Sequence, residues 1–153
     1  MADFEIKTDT RPLSDIPAPL LAVPVFADED GAEALDALDT SMEGAVRRIF
    51  EHGDFRGRKG DRAVLYPSPG AAVAAERVLL IGCGRRADYS AEALRRSVGT
   101  AVREAERLRV ARIAVSIGHS TGVSGLDART SARVAAEAAG LWISGQVPGR
   151  RLP

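Results

Sequence analysis

Residues 77–86, RVLLIGCGRR, constrain the chain more than any other stretch. Val78, Leu79, Leu80 and Ile81 form a continuous apolar run stopped by Gly82 and Gly84. Four residues are too few for a useful helix, and the branched side chains favour extended backbone. An apolar run without polar alternation predicts a strand buried on both faces, as in the centre of an α/β sheet. The two glycines mark a place where the backbone turns sharply or another group comes close. A Gly-x-Gly pair alone, without the rest of a dinucleotide-binding pattern, reads as a tight turn leading into a helix.

The remaining elements fall into place around that strand. Phe4, Ile6 and Thr8 alternate with charged residues and predict a half-exposed strand. Leu20 to Phe26 predicts a second apolar strand, and Pro24 inside it argues for an edge position or a bulge. Ala27 to Gly31 reads as an acidic turn. Ala32 to Phe50 predicts helix in one or two pieces, with Leu35, Leu38, Met42, Val46 and Ile49 on one stripe. Asp54 to Asp61, DFRGRKGD, is a polar loop or hairpin, and Ala63 to Tyr66 a short strand.

Ser90 is a suitable N-cap for a helix reaching about Leu108. Leu94, Val98, Ala101, Val102, Ala105 and Leu108 face inward on it, and Arg95, Arg96, Arg103, Glu104 and Arg107 outward. Arg112 to Ile117 predicts another buried strand, followed by a glycine- and hydroxyl-rich loop from Gly118 to Asp127. A last helix starts at Asp127 or Thr130, with Val134, Ala138, Leu141 and Trp142 inward. This βαβα order implies parallel strands with helices on both faces. Residues 1–145 read as one domain and residues 146–153 as a linker or frayed tail.

Composition narrows the function. With one cysteine, Cys83, no internal disulfide can form, and a buried inert thiol is expected rather than a nucleophile. A reducing, cytoplasmic setting follows, since the N-terminal residues carry no secretory pattern and no apolar run approaches membrane length. The net charge is zero, but residues 1–61 hold fourteen acidic and seven basic side chains and residues 62–153 the reverse. The halves are therefore expected to pair with one another or to form solvated helix faces, and a nucleic-acid role for the arginine-rich half ranks third among the functions considered.

The order and spacing of LLAVPVF, the Asp39-centred helix ending in DFRGRKGD, RVLLIGCG, LRRSVGTAVREA, RIAVSI and AAEAAGLW carry a resemblance. The stretch from Leu20 to Trp142, about four-fifths of the chain, resembles the N-terminal domain of the leucyl (cytosol) aminopeptidases. The resemblance implies a three-layer α/β/α macro-like fold with a mostly parallel, mixed central sheet. It also implies a separate catalytic domain, in the same or another chain, that binds two divalent metals (zinc or manganese), and homo-oligomeric assembly of the full enzyme.

The catalytic half has no counterpart here. The family's asparagine-threonine-aspartate-alanine-glutamate-glycine-arginine motif is missing, and the chain contains no asparagine. Its two lysines, Lys7 and Lys59, are scattered, whereas a two-metal hydrolase needs clustered carboxylates. Asp28, Glu29 and Asp30 read as a solvated turn rather than a metal site. No catalytic residue, metal site or cofactor is therefore expected in this chain, which reads as a noncatalytic accessory domain contributing to assembly or substrate access.

The alternative is a stand-alone module for a nucleotide or ADP-ribose-like ligand. Gly118, Ser120, Thr121, Gly122 and Gly125 resemble the diphosphate-binding loop of macrodomains, in which small residues let backbone N–H groups converge on an anion. The loop that would face it holds Asp28, Glu29 and Asp30, which would repel a diphosphate. The 118–125 loop is thus expected to tolerate anions without selecting ADP-ribose.

Overall fold

A computed structural model of the chain describes residues 5–28, 35–117 and 126–144, with side-chain surroundings to residue 140. Four strands form one sheet in the order β2-β3-β1-β4. They are β1 (Leu21–Val25), β2 (Arg62–Leu65), β3 (Val78–Gly82) and β4 (Ala114–Val115). β1 runs parallel to both β3 and β4, with Val23 opposite Leu80 and Ala22 opposite Val115. β2 is antiparallel to β3, with Val64 opposite Leu79. The helices are α1 (Asp36–Ser41), α2 (Ala45–His52), α3 (Ala91–Leu108) and α4 (Ala128–Ser144).

The period of two along β1 and β3 divides the core. Leu21, Val23, Val25, Val78 and Leu80 pack with Leu38 of α1, Val46 of α2 and Met42 between them. Leu20, Ala22, Leu79 and Ile81 pack with Ala101 and Ala105 of α3. The side chains of residues 78–80 are fully buried, as their unalternating apolar run predicts. α4 lies against α3, with Val98 and Val102 meeting Val134 and Ala138. Helices thus cover both faces of the sheet.

Pro24 requires a correction, because β1 is an internal strand rather than an edge. The N–H of Leu21 points to β3, donating to the Arg77 carbonyl at 2.9 Å, while the carbonyls of Leu20 and Ala22 accept from Ala114 and Ser116 on the β4 side. By the same alternation the nitrogen of Pro24 faces the β4 side. The register with β4 ends at Ala22–Val115, so the missing donor falls where the ladder has already stopped.

The Arg112–Ile117 strand is likewise shorter and more exposed than expected. Only Ala114 and Val115 pair, and they are half-buried on an edge. The strand expected around Ile6 and Thr8 is absent: residues 5–10 are exposed and without regular structure. Phe4 lies outside the described residues. An alternating pattern makes a strand only where a neighbour supplies the other half of the ladder.

The helical stretch after the acidic turn is in two pieces joined at Met42–Gly44. The buried carboxylate of Asp39 accepts the N–H of Arg47 at 2.8 Å and so satisfies an orphan donor in the first turn of α2. On α3, Ser90 Oγ accepts the N–H of Ala93 at 3.2 Å, the expected cap. Glu104 departs from the outward face assigned to it. It is buried, and its carboxylate accepts both Nε and Nη2 of Arg107, whose guanidinium stays exposed. A buried carboxylate persists when a charged donor covers it.

Two outcomes test this architecture. Leu80→Ala should cost about 2–5 kcal/mol in urea melts, whereas Arg96→Ala, on the exposed face of α3, should stay within about 0.5 kcal/mol. Comparable losses would mean that β3 is misplaced. The second concerns Asp127, whose Oδ1 accepts the N–H of Thr130 at 2.7 Å at the start of α4. Hydrogen bonds from Thr130 hold its carboxyl below the ordinary carboxylate range. The stabilisation is therefore present above the ordinary carboxylate pKa and lost as pH falls through the lower folded value. The stability advantage of the native protein over Asp127→Asn should shrink between about pH 5 and pH 3, and a constant gap would contradict this capping role.

Candidate functional site

The carboxyl end of β3 is built by a close approach of two backbones. The loop after α2 begins at Phe55, which is fully buried and meets Phe50 edge-to-face at 5.3 Å. From that anchor the chain crosses the end of the sheet. Gly84 N–H donates to the Gly57 carbonyl at 2.8 Å, and Gly82 N–H to the Asp61 carbonyl at 2.7 Å. A Cβ at Gly82 would sit 2.0 Å from the Arg58 carbonyl oxygen, and one at Gly57 2.8 Å from that of Phe26. Gly57 and Gly84 also hold φ of 74° and 73°, the left-handed region. The Gly-x-Gly pair is therefore a structural seat for the loop.

Asp61 fastens the loop from within. Its Oδ2 accepts the N–H groups of Arg56 and Arg58 at 3.0 and 3.2 Å. On the other side, Cys83 N–H donates to the Val25 carbonyl and Ala27 N–H to that of Gly84, so β1 and β3 stay joined past the sheet's end. Gly82→Ala should cost about 1–3 kcal/mol by forced overpacking, read by thermal or urea melts. An unchanged midpoint would show that the loop does not press on the strand.

Cys83 is buried, as expected, and lies 3.5 Å from Ser97 Oγ. Burial raises its thiol pKa, which disfavours the nucleophilic thiolate. The hydroxyl of Ser97 donates to the Ala93 carbonyl at 3.1 Å. Tyr89 packs edge-to-face on Phe26 at 5.1 Å, and its phenol is pushed far up by burial. These groups form a largely buried seam under α3, and Cys83 and Ser97 also border the neighbouring cleft.

Beside the clamp lies an open cleft of about 390 Å³ between residues 59–62 and α3. Lys59, Arg62, Arg96 and Arg103 line it, with Ile81 and Gly82 at its base. The sequence reading had placed Arg96 and Arg103 on a solvated helix face and Lys59 in a loop. The available signal was spacing: Arg96, Thr100 and Arg103 follow one another at four and three residues and share a face of α3.

Of the other sequence-derived candidates, Asp28 is the one among the described residues. Gly118, Ser120, Thr121, Gly122 and Gly125 lie outside the described residues, as do Glu29 and Asp30. Asp28 is exposed, and its Oδ1 accepts the N–H of Arg86 at 2.9 Å, tying the end of β1 to the segment after β3. Among the described residues, no group of three or more histidines, cysteines and carboxylates could hold a metal ion. Nor is any helix there long and apolar enough to cross a membrane.

The fold itself is of the macro-like α/β/α class. The macrodomain of Mycobacterium tuberculosis DarG superposes with a TM-score of 0.57 at 15% identity, covering 85% of this chain and 86% of that one. A mutant of tomato leucine aminopeptidase superposes with a TM-score of 0.68 at 23% identity, covering 88% of this chain but 27% of that one. Residues 22–143 match the family described as the cytosol aminopeptidase family, N-terminal domain, and the chain belongs to that family. A probable cytosol aminopeptidase of Nitrosococcus oceani is 41% identical over 83 residues, which are 54% of this chain and 16% of that protein. Another from Thermosynechococcus vestitus is 29% identical over 137 residues, 88% of this chain and 26% of that protein. The chain thus spans about a quarter or less of the curated relatives it matches.

Proposed function

We propose that this chain is the noncatalytic N-terminal domain of a two-metal aminopeptidase, and that it contributes to assembly or substrate access. The match of residues 22–143 to the family's N-terminal domain carries the reading. The chemistry of the described residues supports it. A two-metal hydrolase needs several carboxylates converging on adjacent ions, whereas Asp39, Asp61 and Glu104 are each engaged in holding backbone or an arginine. The catalytic work then belongs to a partner domain, in the same or a separate chain, carrying zinc or manganese in a cytoplasmic homo-oligomer. On this reading residues 1–145 are the accessory domain and residues 146–153 a linker or frayed tail.

The macro-like fold leaves a second use open in principle, an ADP-ribose-like ligand held by Gly118, Ser120, Thr121, Gly122 and Gly125. The likeness to macrodomains is one of fold alone, and the acidic Asp28-Glu29-Asp30 run in the sequence works against a diphosphate. The accessory-domain reading therefore stands first.

Its test has two parts. The purified chain should not hydrolyse a leucine anilide with added manganese or zinc, and metal-dependent turnover by an uncontaminated sample would overturn the noncatalytic assignment. In a full-length family enzyme carrying this domain, deletion of residues 1–145 should change the sedimentation-derived assembly size or raise KM for peptides. If both stay the same, the domain has no accessory role.

A further inference from the structure

We propose that the cleft between residues 59–62 and α3 binds a phosphorylated small molecule through its phosphate, using side chains other than those of residues 118–125. Among the described residues, four cations, Lys59, Arg62, Arg96 and Arg103, line the cleft against one carboxylate, Asp61. That carboxylate is already committed to the N–H groups of Arg56 and Arg58 and to the Arg58 guanidinium at 3.5 Å. Among the described residues, no ion pair engages Lys59 or Arg62. Arg96 meets Glu92 only at 3.8 Å on an exposed surface, a pairing worth little in water.

The supporting frame is rigid. Arg96, Thr100 and Arg103 project from one face of the 18-residue α3, whose apolar side is buried against the sheet. Arg103 Nη2 donates to Thr100 Oγ1 at 3.4 Å, so a guanidinium and a hydroxyl lie together on that wall. Lys59 and Arg62 stand on the opposite wall, fixed by the clamp of Gly57, Gly82 and Gly84. The stem of Lys59 runs over Gly84, 3.1 Å from where a Cβ would be, so the missing side chain makes room for it.

Size and lining chemistry narrow the ligand. About 390 Å³ is at the small end of the range for small-molecule sites. Arginine forks and an ammonium suit the several oxygens and the multiple charge of a phosphate better than a single carboxylate. Among the described residues no aromatic side chain lines the cleft, so a nucleobase would find no ring of theirs to stack on. The ligand class is accordingly a sugar phosphate or a similar phosphorylated polyol. All the lining residues come from this chain, so the site stands whether or not the accessory-domain reading does.

The test is calorimetric titration of the purified chain at about 0.15 M salt, where unspecific surface attraction is screened. The probes are glucose 6-phosphate, inorganic pyrophosphate, glucose as the uncharged control, and a single-stranded oligonucleotide. Saturable binding of glucose 6-phosphate, with none of glucose, is expected. It should weaken about tenfold or more in Arg62→Glu and in Arg103→Glu, and remain in Gly122→Glu. The milder Lys59→Ala and Arg96→Ala, checked by circular dichroism for unchanged folding, should each weaken it severalfold. No saturable binding of either phosphate probe, binding unaffected by the cleft variants, loss in Gly122→Glu, or binding of the oligonucleotide alone would each overturn the proposal.

Discussion

The structure depends on two backbone hydrogen bonds at the carboxyl end of β3. Gly82 donates to Asp61 and Gly84 to Gly57, and both are possible only because no side chain separates the strand from the loop. An unpaired N–H left at the end of a buried strand would cost free energy comparable to a lost hydrogen bond. The loop removes that cost, and in doing so it fixes the entry to β2, since Asp61 immediately precedes Arg62. The antiparallel edge of an otherwise parallel sheet follows from this contact. So does the outer wall of the basic cleft.

The same constraint links the two faces of the core. Phe55 anchors the loop among the residues under α1 and α2, while Cys83, one residue past β3, lies in the cluster under α3. A shift of the loop would therefore be felt on both sides of the sheet. β1 gains its place in the centre because Pro24 lacks its donor only toward β4, where pairing has ended. The short, half-buried β4 goes with that early end of pairing.

Much of this was legible in the residues. Unbroken apolar runs marked β1 and β3, and the Ser90 cap with its 3.6-residue stripe marked α3, because burial on one or two faces leaves a direct trace in sequence. The rest turned on partners far away in the chain. Ile6 and Thr8 alternate correctly but have no adjacent strand. Glu104 reads as a surface residue until Arg107 closes over it. The cationic cleft was hidden because Lys59 and Arg62 come together with Arg96 and Arg103 only once the clamp has formed. The uneven charge of the two halves leaves a local trace among the described residues. Among the described residues, ion pairs such as Asp36–Arg47, Arg58–Asp61, Glu92–Arg95 and Arg133–Glu137 lie within one half.

Native-state hydrogen exchange at the amides of Gly82 and Gly84 tests the central claim most directly. If the loop is clamped to β3, both amides should exchange only through global unfolding, with protection matching that of the Leu79 and Leu80 amides at the centre of the sheet. Exchange of Gly82 and Gly84 at the rate of exposed loop amides, while Leu79 and Leu80 remain protected, would show that the loop is not held there. The cleft would then lack its fixed outer wall.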